Sequence, residues 1–117
     1  MNGIAATFHK VSYVVSMRYT DSEIIDLWLQ SQASPATASC YRRDVNRLLA
    51  HSGKPLSRLG LSDLHRFMQS LIAAGLAPVS RVRTLTAIKR LFVFCQRMRF
   101  IAANPAAELP LPRYEIR

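Results

Sequence analysis

The sequence predicts an all-α domain built from four main helices. Three observations predict it. Apolar residues recur at helical steps of three and four in four separate stretches, capping residues and prolines punctuate the gaps between them, and no stretch alternates with the period of two that a strand needs. At 117 residues, half of them apolar, the chain is long enough for one hydrophobic core and too short for two.

Residues 1–20 sustain no period. Tyr13, Val14 and Val15 form only a brief apolar patch, so an irregular N-terminal segment is expected there. Thr20 or Asp21 can cap a first helix, with Glu23 in its first turn, where the helix dipole favours a negative charge. Ile24, Leu27, Trp28 and Ile25 supply its apolar stripe, and it should end near Gln32. Ser34 followed by Pro35 marks the next start, because the serine oxygen can accept an orphan amide and proline is tolerated at the first helical position. This second helix should run to about His51, before Gly53, with Tyr41, Val45, Leu48 and Leu49 on its buried side and Ser39, Arg43, Asn46 and Arg47 away from it.

After Lys54-Pro55, Ser62 is expected to cap a third helix with the stripe Leu64, Phe67, Met68, Leu71 and Ile72, and Gly75 to stop it. Pro78 opens the fourth and longest helix, reaching about Met98, with Leu85, Ile88, Phe92 and Cys95 as its core positions. At about 100° per residue, Arg83, Thr86, Arg90 and Arg97 fall in a narrow arc opposite Phe92. Asn104-Pro105 ends any continuation, and residues 105–117, with Pro110 and Pro112, read as an extended linker. The helical domain is therefore placed at 21–104.

Charge is distributed unevenly over these elements. Residues 34–104 carry twelve Lys and Arg against Asp44 and Asp63 alone, a net of +10, while the flanks contribute −1 and 0 to the chain's total of +9. Ten of those twelve cations are arginine, whose planar fork suits phosphate oxygens and guanine edges better than an ammonium group does. A solvated surface is the ordinary fate of an isolated Arg pair. Two helices that each carry arginine opposite a core stripe, interleaved with Ser39, Asn46 and Thr86 and nearly free of carboxylates, point instead to nucleic acid.

Other chemistries find little support. Cys40 and Cys95 are too few and too far apart for a disulfide framework or a zinc site, and each lies in a helical pattern. His9, His51 and His65 lack ligand spacing, so neither a metal nor any other cofactor is expected. Asp44 has no carboxylate partner for acid/base work and is expected to pair with Arg47 or brace another arginine. No run approaches the roughly 20 apolar residues of a membrane span and no signal peptide is visible, which points to a soluble, cytoplasmic protein without a membrane partner.

Several stretches, in order, resemble one family. Leu27-Trp28-Leu29, Ser34, Thr37 and Tyr41-Arg42-Arg43-Asp44-Val45 are similar to the opening of the N-terminal core-binding domain of tyrosine recombinases, the phage integrase and Xer group. Gly75-Leu76, Ser80, Arg83, the run from Leu85 to Phe92 and Asn104-Pro105 resemble its fourth helix and exit, so the likeness covers about Ser22 to Pro112. It implies a SAM-like fold of two crossed helical hairpins that grips duplex DNA, with the second and fourth helices at the major groove and phosphates. Carried over by position, Arg42, Arg43 and Arg47 on the second helix, and Ser80, Arg81, Arg83, Thr84, Lys89 and Arg90 on the fourth, would face DNA. Of these, Arg42 sits nearest the core side of its helix.

The resemblance also implies a nucleoid-associated role in DNA integration and recombination, with other recombinase protomers as partners of the full-length protein. The family's tyrosine nucleophile belongs to a separate catalytic domain. Tyr41 lies on a core stripe and Tyr13, Tyr19 and Tyr114 lie outside the helices, so none is assigned that role, and this chain is expected to bind DNA without cutting it. Trp28 is read as core, although the resemblance also offers it a place on a helix that touches a neighbouring protomer. A helical protein-interaction module with a basic face is the alternative. A helix-turn-helix regulator fits less well, because another helix separates the two basic ones.

Overall fold

A computed structural model describes residues 19–110. Except for Tyr19 and Thr20, the expected irregular N-terminal segment lies outside the described residues, as do residues 111–117 of the expected linker. Four helices make up the domain, joined as two hairpins: α1 (Asp21–Gln30) with α2 (Pro35–Ser52), and α3 (Leu61–Ala73) with α4 (Pro78–Arg97). A single 3₁₀ turn, Leu56–Arg58, lies between the hairpins, and no strand is present among the described residues.

Local chemistry sets most boundaries. Thr20 caps α1 in a reciprocal box: its hydroxyl accepts from the Glu23 amide at 3.1 Å, and the Glu23 carboxylate accepts from the Thr20 amide at 2.9 Å. Asp21 is thereby left to accept from the Leu56 amide at 2.8 Å, tying the start of α1 to the 3₁₀ turn. The helix stops short of the expected Gln32, whose side-chain amide instead donates to the Trp28 carbonyl at 2.8 Å. Ser34 caps α2 by accepting from the Thr37 amide at 3.1 Å, and Gly53 ends it in the left-handed region at φ 65°.

The start of α3 corrects the expectation. Gly60, not Ser62, occupies the capping position, and its amide donates to the Asp63 carboxylate at 2.9 Å. Glycine has no side chain to return the bond, so Asp63 supplies the cap from within the first turn. The same carboxylate also meets Lys54 at 2.9 Å and Arg66 at 3.4 Å. The Gly60 hydrogen bond, followed by the one from Lys54, holds its pKa down from 3.8 to about 2. A depressed folded-state value stabilises the fold above the unfolded carboxylate's pKa, and that contribution fades as pH falls toward about 2. In urea titrations, the stability gap between the native protein and Asp63→Asn should therefore be full at pH 6 and shrink steadily below about pH 4.

All four helices converge on one core. Ile24, Val45, Leu48, Phe67, Ile88 and Phe92 are essentially sealed from solvent. Trp28 is buried and stacks on Tyr41, with ring centroids 5.2 Å apart and planes 6° from parallel. Helix α4 packs against each of the other three, so its buried arc is wider than the sequence stripe and takes in Thr84, Ala87 and Leu91. Ile72, expected in the α3 stripe, is 50% exposed. It lies about 100° round the helix from Leu71 and beyond the edge of the core. Cys95 is fully buried, and burial pushes its thiol pKa up to about 12.

The chain turns back after α4. Arg99 takes φ 59°, a left-handed conformation that costs a non-glycine residue roughly 1–2 kcal/mol. The turn returns Phe100 and Ile101 to the core, where each contributes about 1.5–3 kcal/mol of burial, so packing outweighs the strain. Packing also continues past Asn104, where the linker was expected to begin. The Asn104 side chain accepts from the Ala106 amide at 2.9 Å, and Ala106 and Leu109 are buried.

Candidate nucleic-acid interface

Helices α2 and α4 lie side by side, and four side-chain hydrogen bonds join them. The Tyr41 hydroxyl accepts from an Arg90 guanidinium nitrogen at 3.1 Å. Asp44 accepts from the Thr84 hydroxyl at 3.0 Å and from Arg83 at 3.2 and 3.4 Å. Cys40 accepts a contact from the Arg43 guanidinium at 3.3 Å. The basic flank of α2 and that of α4 therefore adjoin at this seam.

On α2, Arg43 and Arg47 are exposed, four residues and about 6 Å apart along the axis. Neither forms an ion pair among the described residues. Arg42 leans toward α1 instead and bonds to Asp26 at 2.8 Å, an exposed pair that balances its charge. On α4, Arg83, Arg90 and Arg97 are exposed and recur every seven residues, about 10.5 Å per step along one face. Hydrogen bonding to Asp44 raises the Arg83 pKa and outweighs the opposing effect of burial.

Thr84, Lys89 and Arg81 have internal partners. Thr84, expected to face DNA, is completely buried with its hydroxyl on Asp44. Lys89 is half-buried, and its ammonium donates to the Ala106 and Leu109 carbonyls, clamping the returning C-terminal turn. Arg81 donates to the Leu76 carbonyl at 2.6 Å at the start of α4, and Ser80 beside it is partly buried. Thr86, on the exposed arc, donates to the Val82 carbonyl at 2.8 Å.

Sequence reasoning missed two features of this face. One is Val93, 40% exposed between Arg90 and Arg97. With Trp28, Ser31 and Phe94, these three residues border a shallow depression of about 330 Å³. Its only signal was that Val93 lies on the basic arc. The other is the full burial of Asp44, signalled by its place three residues after Tyr41 and one before Val45, within the core stripe.

Among the described residues, no three His, Cys, Asp or Glu side chains cluster closely enough to hold a metal ion, and no helix is long and apolar enough to cross a membrane. What remains is a small all-α domain with one cationic face made by its second and fourth helices. Residues 24–98 match the family model described as the phage integrase N-terminal SAM-like domain, and the chain belongs to that family.

Its relatives include proteins named tyrosine recombinase XerD. The one from Yersinia pestis is 30% identical over 105 residues, covering 83% of this chain and 35% of the relative. That from Pasteurella multocida is 30% identical over 101 residues, covering 80% of this chain and 34% of the relative. That from Vibrio cholerae is 29% identical over 94 residues, with coverage of 78% and 31%. The chain thus spans about a third of the length of the curated relatives it matches. No solved structure gives a significant match.

Proposed function

We propose that this chain binds duplex DNA through the face formed by α2 and α4, as the N-terminal core-binding part of a site-specific tyrosine recombinase or integrase. The observation that carries the reading is the run of exposed guanidinium groups across the α2–α4 seam, Arg43, Arg47, Arg83, Arg90 and Arg97, with Asp44 the only carboxylate set among them in the described residues, and buried beneath. Phosphates meet these forks in bidentate geometry, and base edges in the major groove are within reach of the same side chains. Thr84, Lys89 and Arg81 act from inside, by fixing the helices and the exit of the chain. Strand cleavage and rejoining belong to the remainder of the full-length protein, which works with other protomers on DNA in the nucleoid. By itself, this chain binds without cutting.

Fluorescence anisotropy with a short labelled duplex tests the reading. Saturable binding at roughly micromolar concentration or below is expected in low salt, with polyglutamate a poor competitor. Tighter binding to the acidic polypeptide than to the duplex would instead identify a protein-interaction module.

A further inference from the structure

Among the described residues, Asp44 is the one carboxylate beneath a face that otherwise presents only positive charge, and its side chain is 1% exposed. Burying a charge between helices is unfavourable unless hydrogen bonds and an opposite charge compensate. Here Thr84 and Arg83 supply both. Arg83 is held in a particular way: Nε and Nη2 point inward to the two carboxylate oxygens, while 43% of the side chain remains open to solvent. Of its five N–H donors, those not engaged by Asp44 remain available to a ligand. Arg47, four residues along α2 from Arg43, has no such brace among the described residues.

We propose that Asp44 is a positioning residue for duplex binding: it orders the Arg83 guanidinium before DNA arrives, so that its outward donors meet the nucleic acid without first losing rotamer freedom. The proposal rests on the DNA-binding reading above and adds a claim of opposite sign to simple electrostatics. Asp44→Asn raises the net charge by one from +9, and charge alone would then tighten binding to a polyanion. Loss of the brace weakens it. Asparagine keeps the size of the side chain and Oδ1, which Thr84 and Arg83 Nη2 share, but it removes the negative charge and replaces the oxygen that accepts from Arg83 Nε with a donor, so the hold on Arg83 is weakened while Thr84 keeps its partner.

The test compares the native chain, Asp44→Asn, Arg83→Gln and the double variant by anisotropy against one duplex at fixed low salt, with circular dichroism as the fold control. A second measurement needs no variant: ¹⁵N relaxation of the arginine Nε–H groups in the free native protein. Asp44→Asn should weaken binding by about 3- to 10-fold and add nothing in the Arg83→Gln background. The Arg83 Nε–H should give an order parameter above about 0.6, and that of Arg47 should fall below it.

Binding by Asp44→Asn that is unchanged or tighter overturns the proposal, as does an equal loss in the Arg83→Gln background, an Arg83→Gln variant that binds like the native chain, or an Arg83 Nε–H as mobile as that of Arg47. Should Asp44→Asn fail to fold, the relaxation measurement decides. Failure of the native chain to bind duplex at all removes the DNA-binding reading itself, a result distinct from each of the others.

Discussion

Replacing Arg43 and Arg47 together with glutamine should weaken duplex binding by about 10- to 100-fold at low salt and reduce the salt slope by about 2, while leaving helix content and thermal midpoint near native. The two guanidinium groups are exposed and face no carboxylate among the described residues, so their removal takes charge from the face without disturbing the core. Arg42 provides the internal control. It neighbours Arg43 in sequence, yet Asp26 already balances its charge at 2.8 Å, so Arg42→Gln should produce a markedly smaller loss. Equal losses from Arg42 and from the Arg43/Arg47 pair would mean that total charge, not this face, governs binding. Anisotropy titrations at two salt concentrations separate the possibilities.

The second large effect concerns stability. Trp28→Ala should lower the unfolding free energy by about 3–5 kcal/mol in a urea titration followed by far-UV circular dichroism. Small domains have only about 5–15 kcal/mol in total, so a substantial unfolded fraction follows at the lower end of that range. Trp28 is buried, and its near-parallel stack on Tyr41 joins α1 to α2. Tyr41 in turn accepts from Arg90, so the loss extends from the core to the basic face. Trp28→Phe keeps an aromatic ring against Tyr41 and should recover most of the stability. A Trp28→Ala protein as stable as the native one would show that the indole is not a core residue.

The helices were legible because their signals are local. Thr20 with Glu23, Ser34 with Pro35, Gly53, Gly75 and Pro78 act within a turn of the chain, and the stripes of α2 and α4 follow from helical period alone. Arg43, Arg47, Arg83 and Arg90 were placed away from those stripes by the same arithmetic, and their exposure matches it. What the sequence could not disclose depends on partners distant along the chain. Asp44 meets residues about forty positions away, and Lys89 meets carbonyls 17 and 20 positions on. No period or spacing signals either. Thr84 looked polar and available, but it lies on the side of α4 that abuts α2, where Asp44 claims its hydroxyl. Gly60 replaced Ser62 as the cap because the Asp63 carboxylate reached back to an amide one turn earlier. Arg99 departs from its usual backbone region because Phe100 and Ile101 find room in the core.

The most direct test of the account is the dependence of duplex affinity on salt. With each of the five face arginines neutralising one phosphate, log K should fall linearly against log salt with a slope of about −4 to −5, and the loss between 50 and 200 mM salt should be about 10²–10³-fold. A binding constant indifferent to salt would contradict it.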